Sequence, residues 1–169
     1  MRAGEPGDFL VLVHASPEIK HMTQTSYLSG KVIKHSLAKF DPRPAADAPK
    51  LKRLMLQQGE LAQVHDGEPA IRYLAYIELV NGAIRGNLFH KEKNEFLYII
   101  RGRIELVVED SSDGQCESMP LESGDLVFIP VPIAHAFRTV EPGHAIEFSS
   151  SAYDRADVYP FAIIKAEKV

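Results

Sequence analysis

From residue 51 onward, apolar side chains recur at every second position in short runs. Tyr73, Ala75, Ile77 and Leu79 share one parity, and Ile104, Leu106 and Val108 repeat the pattern. Such alternation marks strands with one buried face. The runs are bounded by turn signals at Gln57-Gln58-Gly59, Asn81-Gly82, Gly102, Ser123-Gly124-Asp125 and Glu141-Pro142-Gly143. Strands are predicted over 51–56, 60–64, 72–80, 83–90, 95–101, 103–109, 117–121, 126–130, 133–140 and 144–150, with a short return strand at 162–165. Strands of this length, closely and regularly spaced, predict an all-β sandwich or barrel. No long amphipathic helix competes with that reading.

Before residue 51 the pattern weakens. Residues 9–14 read as a short strand suited to pairing with another chain, and Ser16-Pro17 reads as a helix start. Residues 19–37 lack a clean period and are read as weakly structured. Pro42, Pro44 and Pro49 make 41–50 a linker or extended arm. The expected division is therefore an N-terminal arm and linker over 1–50 and one β domain over 51–169.

Composition narrows the function classes. The chain has 169 residues, a formal net charge of −4 and a pI near 6.0, so no basic surface points to nucleic acid. The early apolar run 9–13 is too short to cross a bilayer and lacks the flanks of a signal peptide. A cytoplasmic protein with no membrane partner is expected. Cys116 is the single cysteine, which rules out an internal disulfide; with no histidine near it in sequence it reads as an incidental thiol. Nucleotide-phosphate loops, serine-hydrolase elbows and zinc-protease helices are absent from the sequence.

The chemistry concentrates in 85–102 and 123–137. His90 and Glu95 lead into a strand in which Glu95, Leu97 and Ile99 share a face. In the second stretch Ile133, His135 and Phe137 share a face. Two histidines and a glutamate brought to the mouth of a β-barrel could hold a divalent metal such as Fe, Mn, Ni or Zn. The same three groups could instead act as acid and base without metal. Arg85 is a candidate for an anionic substrate group, and Tyr76 and Tyr98 are candidates to line the pocket. Lys91 and Lys93 read as a solvated rim, and the remaining histidines as surface or structural residues.

Gly86, His90, Glu95 and Gly102, followed by Gly124, Pro130 and His135, resemble the two motifs of the cupin superfamily. The resemblance implies a jelly-roll barrel (a double-stranded β-helix), here with an N-terminal arm, and a homodimer as the usual assembly. It also implies a metal held by His90, Glu95 and His135. Three positions depart from the motifs: Leu88 replaces the first histidine, Pro132 a glycine and Thr139 an asparagine. The string from Arg85 to Phe96 and the segment from Pro132 to Phe137 are similar to sugar-modifying cupins, including nucleotide-sugar isomerases and deoxysugar epimerases. In those epimerases the base histidine aligns with Leu88. The expected function is a metal-dependent cupin enzyme acting on a sugar or keto acid. The alternatives are a metal-free nucleotide-sugar isomerase or epimerase, with His90 or His135 moving the proton, and a small-molecule-binding cupin without turnover.

Overall fold

The computed structural model describes residues 22–41 and 48–165. The expected strand at 9–14 and the helix start at Ser16-Pro17 lie outside the described residues. Twelve strands follow in chain order. They are β1 (Thr23–Tyr27), β2 (Val32–Ser36), β3 (Lys39–Phe40), β4 (Lys52–Leu56), β5 (Gly59–Gln63) and β6 (Tyr73–Leu79). The second half comprises β7 (Ile84–Phe89), β8 (Glu95–Asp110), β9 (Gln115–Glu122), β10 (Asp125–Ile129), β11 (Ala134–Ser149) and β12 (Tyr159–Pro160). A 3₁₀ turn, Arg155–Asp157, precedes β12.

Two long strands organise the molecule. The first half of β8 pairs with β10 and with the second half of β11, while the second half of β8 pairs with β9 and with the first half of β11. One layer therefore runs β1-β2-β10-β8-β11-β6, and the other runs β9-β8-β11-β7-β12. This is an all-β jelly roll, with an open hydrogen-bonding path that ends on β1 and β12. Gly102 is a corner within β8 rather than a turn between two strands. Its φ of +94° carries the bend, and a Cβ there would lie 2.7 Å from the Glu141 carbonyl oxygen. A glycine in sequence does not distinguish a turn from a bend, because the partner strand decides which forms.

The alternating residues meet between the layers. Leu97, Ile99 and Val127 from one face join Leu106, Val108, Ile133 and Phe137 from the other in one buried cluster. Each such side chain contributes on the order of 1.5–3 kcal/mol by leaving water. A second cluster lies outside the first layer, where Tyr98, Leu126, Leu37 and Phe148 pack with residues of the small sheet β3-β4-β5. Residues 23–36, read from sequence as weakly structured, form the β1–β2 hairpin at the edge of the main sheet. Four of the five β1 side chains are exposed, so an edge strand buries too little to show a period. The return strand is β12, at 159–160 rather than 162–165.

Candidate active site

The inward parity predicted for β8 holds: Glu95, Leu97 and Ile99 are buried facing the other layer, and Phe96 and Tyr98 turn to the outer cluster. Ile133, His135 and Phe137 are likewise buried on β11 or just before it. Glu95 and His135 therefore approach from opposite layers. The His135 Nε2 lies 2.7 Å from Glu95 Oε2, and the His90 Nε2 lies 3.2 Å from Glu95 Oε1. One carboxylate thus lies between two imidazoles whose ring centroids are 6.2 Å apart.

A bulge in β7 sets this arrangement. Pairing with β11 shifts register between His135 and Ala136, so that Leu88 faces His135 and Gly86 faces Ala136. Gly86 has a φ of +83°, and a Cβ on it would lie 2.7 Å from the His135 carbonyl oxygen. Glycine alone permits both the conformation and the close approach. Asn87 follows at a φ of +59° and turns its side chain toward the C-terminal segment.

Two residues missed in the sequence complete the charge pattern. Lys93, read as solvated rim, is 5% exposed. Its ammonium lies 2.5 Å from Glu95 Oε1, 2.6 Å from Glu147 Oε1 and 4.3 Å from the centre of the Tyr73 ring. Two carboxylates and an aromatic face replace the water that a buried amine would lose. Glu147 pairs in register with Leu97 on one side and Ala75 on the other, which puts it on the inner face. The signal for it in sequence is a charged residue at inward parity between Ala145 and Ser149.

The cluster sets proton affinities in opposite directions. Burial pushes the Glu95 pKa up, but bonds from the His135 and His90 rings and the charge of Lys93 outweigh it and hold Glu95 well below the usual carboxylate range. Burial pulls His90 toward its neutral form, yet the bond and charge of Glu95, with the Asp157 carbonyl on Nδ1, raise its pKa on balance. Glu147 is raised by burial and by the charge of Glu95, against the opposing pull of Lys93. Lys93 itself is penalised by burial but raised by its two carboxylate partners.

A cavity of about 320 Å³ opens beside this wall, lined by Tyr73, Arg85, Leu88, Glu95, His135 and Glu147 together with apolar side chains of both layers. Arg85 is exposed at this lining and forms no ion pair among the described residues. Tyr76 also touches the cavity, but it is 64% exposed and its hydroxyl lies 2.7 Å from His144 Nδ1. Two expected placements differ. Tyr98 is 3% exposed in the outer cluster and does not line the cavity, because its parity is opposite to that of Glu95. His90 lies behind Glu95 rather than on the cavity lining.

The ligand set expected for a divalent metal fits poorly here. Both Glu95 oxygens are taken by imidazoles, and the Lys93 ammonium already neutralises Oε1. Among the described residues, no three His, Cys, Asp or Glu side chains group as a metal site. Leu88 supplies no donor where the resemblance expects a fourth.

Residues 75–149 match the cupin domain family, and the fold is an RmlC-like jelly roll. Among solved structures it is similar to dTDP-4-dehydrorhamnose 3,5-epimerase from Sulfolobus tokodaii, at 18% identity and a TM-score of 0.62, over 80% of this chain and 78% of that one. It is also similar to the RmlC epimerase of Mycobacterium tuberculosis, at 12% identity and a TM-score of 0.65, over 84% and 74%. A third is a mutant 3,4-ketoisomerase from Thermoanaerobacterium thermosaccharolyticum in complex with TDP-4-keto-6-deoxyglucose, at 20% identity and a TM-score of 0.57, over 64% and 82%. No curated protein matches the chain significantly. Among the described residues, no helix is long and apolar enough to cross a membrane.

Proposed function

We propose that the chain is a metal-free isomerase or epimerase of nucleotide-linked keto sugars, moving a proton at a carbon beside a ketone. The observation that carries the reading is the cavity wall, where His135, Glu95 and Glu147 sit side by side in an otherwise largely apolar cleft, with Lys93 bridging the two carboxylates. A carbon acid next to a carbonyl needs a base for its proton and a donor for the oxygen that gains charge. His135 is the imidazole on the wall, oriented by Glu95. Glu147 carries a carboxyl whose proton affinity is raised by burial and by the charge of Glu95.

In the proposed step His135, its Nε2 held by Glu95, takes the proton from carbon on Nδ1, which gives up its 3.2 Å contact with the Ile133 carbonyl, and the bond electrons move to the carbonyl oxygen, which Glu147 protonates. Return of a proton to the same carbon from its other face, with the enol proton going back to Glu147, gives an epimer. Return of the proton to the former carbonyl carbon, with loss of the hydroxyl proton on the first carbon, gives a shifted ketone. Lys93, between Glu95 and Glu147, offsets charge that builds on the oxygen side. A volume of about 320 Å³ suits the sugar ring, leaving the diphosphate to Arg85 at the lining. The names of the similar solved structures support this substrate class.

Incubation with TDP-4-keto-6-deoxyglucose, followed by NMR of the sugar, tests the reading. An epimer or a shifted ketone is the expected product. Leu88, apolar where the resemblance places a base, favours one other reading, a ligand-binding cupin without turnover. Saturable binding with the sugar recovered unchanged would establish that instead.

A further inference from the structure

The segment after β11 does more than close the edge of the second layer. Asp157 is 8% exposed, and its carboxylate accepts from three successive backbone amides, those of Lys91 at 2.8 Å and of Glu92 and Lys93 at 3.2 and 3.0 Å. Its own carbonyl oxygen lies 2.5 Å from His90 Nδ1. One residue therefore grips both ends of the loop that carries His90 and Lys93. The grip is anchored on either side. Asp154 caps the 3₁₀ turn by accepting from the Ala156 amide at 2.8 Å. Beyond it, Tyr159 stacks on Phe89 with centroids 5.1 Å apart, and the Asn87 side-chain oxygen accepts from the amides of Ile163 and Ile164 at 3.0 and 2.9 Å.

We infer that Asp157 is a positioning residue, and that the segment 154–164 is a strap that sets the ring orientation of His90 and the place of the Lys93 ammonium. With Nδ1–H donated to the Asp157 carbonyl, Nε2–H is the donor that faces the Glu95 carboxylate. Three amides converging on one carboxylate fix the backbone of 91–93, and with it the stem of Lys93. The left-handed Asn87 in the β7 bulge is explained by the same device, since its side chain reaches the strap and not the cavity. The consequence for turnover rests on the proposed function; the positioning itself does not.

The test is NMR of the full chain, comparing wild type with Asp157→Asn. Long-range ¹⁵N correlations of the imidazoles read the hydrogen bonding of the two His90 nitrogens, and amide exchange reads the 91–93 loop. Expected are a hydrogen-bonded Nδ1–H signature for His90 in the wild type, its weakening in Asp157→Asn as the 157 carbonyl loses its fixed place, and exchange at 91–93 faster by at least about tenfold, with the amides of β8 and β11 unchanged. A residue serving stability alone would lower the melting temperature and leave both signatures as they were, which would overturn the inference. Should Asp157→Asn fail to fold, Asn87→Ala loosens the strap from its other end and is expected to give the same signatures in milder form; an unchanged His90 signal there would equally overturn it. These readouts need no substrate. A wild type without turnover but with a fixed His90 removes the proposed function and keeps the strap, and an active protein whose His90 is unaffected by Asp157→Asn does the reverse.

Discussion

Glu95, Glu147, Lys93 and His90 form one linked charge cluster, and their signs decide what single substitutions do. Glu147 has a folded-state proton affinity above its unfolded one, so its ionised form is penalised at neutral pH. Glu147→Gln is therefore expected to leave the melting temperature unchanged or slightly raised at about pH 8, while cutting turnover on the order of a hundredfold. Thermal unfolding and product formation measured on one preparation separate the two effects. His90 has its pKa raised, so its contribution is complete below the unfolded value of about 6.5 and fades as pH rises through the folded value. Lowering the pH from about 8.5 to about 6.5 should stabilise the wild type relative to His90→Gln, and the pH dependence of their melting temperatures checks it. Glu95 has the opposite sign: its contribution is present above the unfolded carboxylate value of about 4.3 and is lost as pH falls below it. Glu95 and His135 lie on the faces that alternation predicts, whereas His90 follows the end of β7 and lies behind Glu95. Lys93 and Glu147 were not legible, since a lysine in a charge-rich loop reads as solvated and a single glutamate in an apolar strand passes without notice until the opposite layer is in place.

Strand faces were easier to read than strand ends. The inner residues of β6, β8 and β11 follow from alternation alone, whereas the bends that make β8 and β11 single strands depend on their partners. The β7 bulge was hidden for the same reason: Gly86 is an ordinary strand glycine until His135 packs against it. Gly86→Ala is expected to cost about 1–3 kcal/mol in denaturant unfolding, from the strained φ and the contact with the His135 carbonyl. It should also disturb the cavity, because Leu88 and His90 follow directly along the chain. The outer cluster offers a contrasting case. Phe148 is 1% exposed and stacks on Phe96 with centroids 5.0 Å apart. Phe148→Ala should cost about 3–5 kcal/mol in the same measurement, by leaving a cavity under the β3-β4-β5 sheet.

For the molecule as a whole, the jelly roll is a scaffold whose fold leaves the chemistry open. What distinguishes this chain is the content of its cleft: an ammonium between two carboxylates, a carboxylate between two imidazoles, and a leucine where the cupin resemblance expects a histidine. In the proposed function that set moves protons. The most direct measurement is solvent deuterium incorporation at the carbons flanking the ketone of TDP-4-keto-6-deoxyglucose, using protein stripped with a chelator. Incorporation that survives stripping and is abolished by His135→Ala is the expected result. Incorporation that appears only when a divalent metal is restored, or no incorporation across a panel of nucleotide keto sugars, would contradict the account.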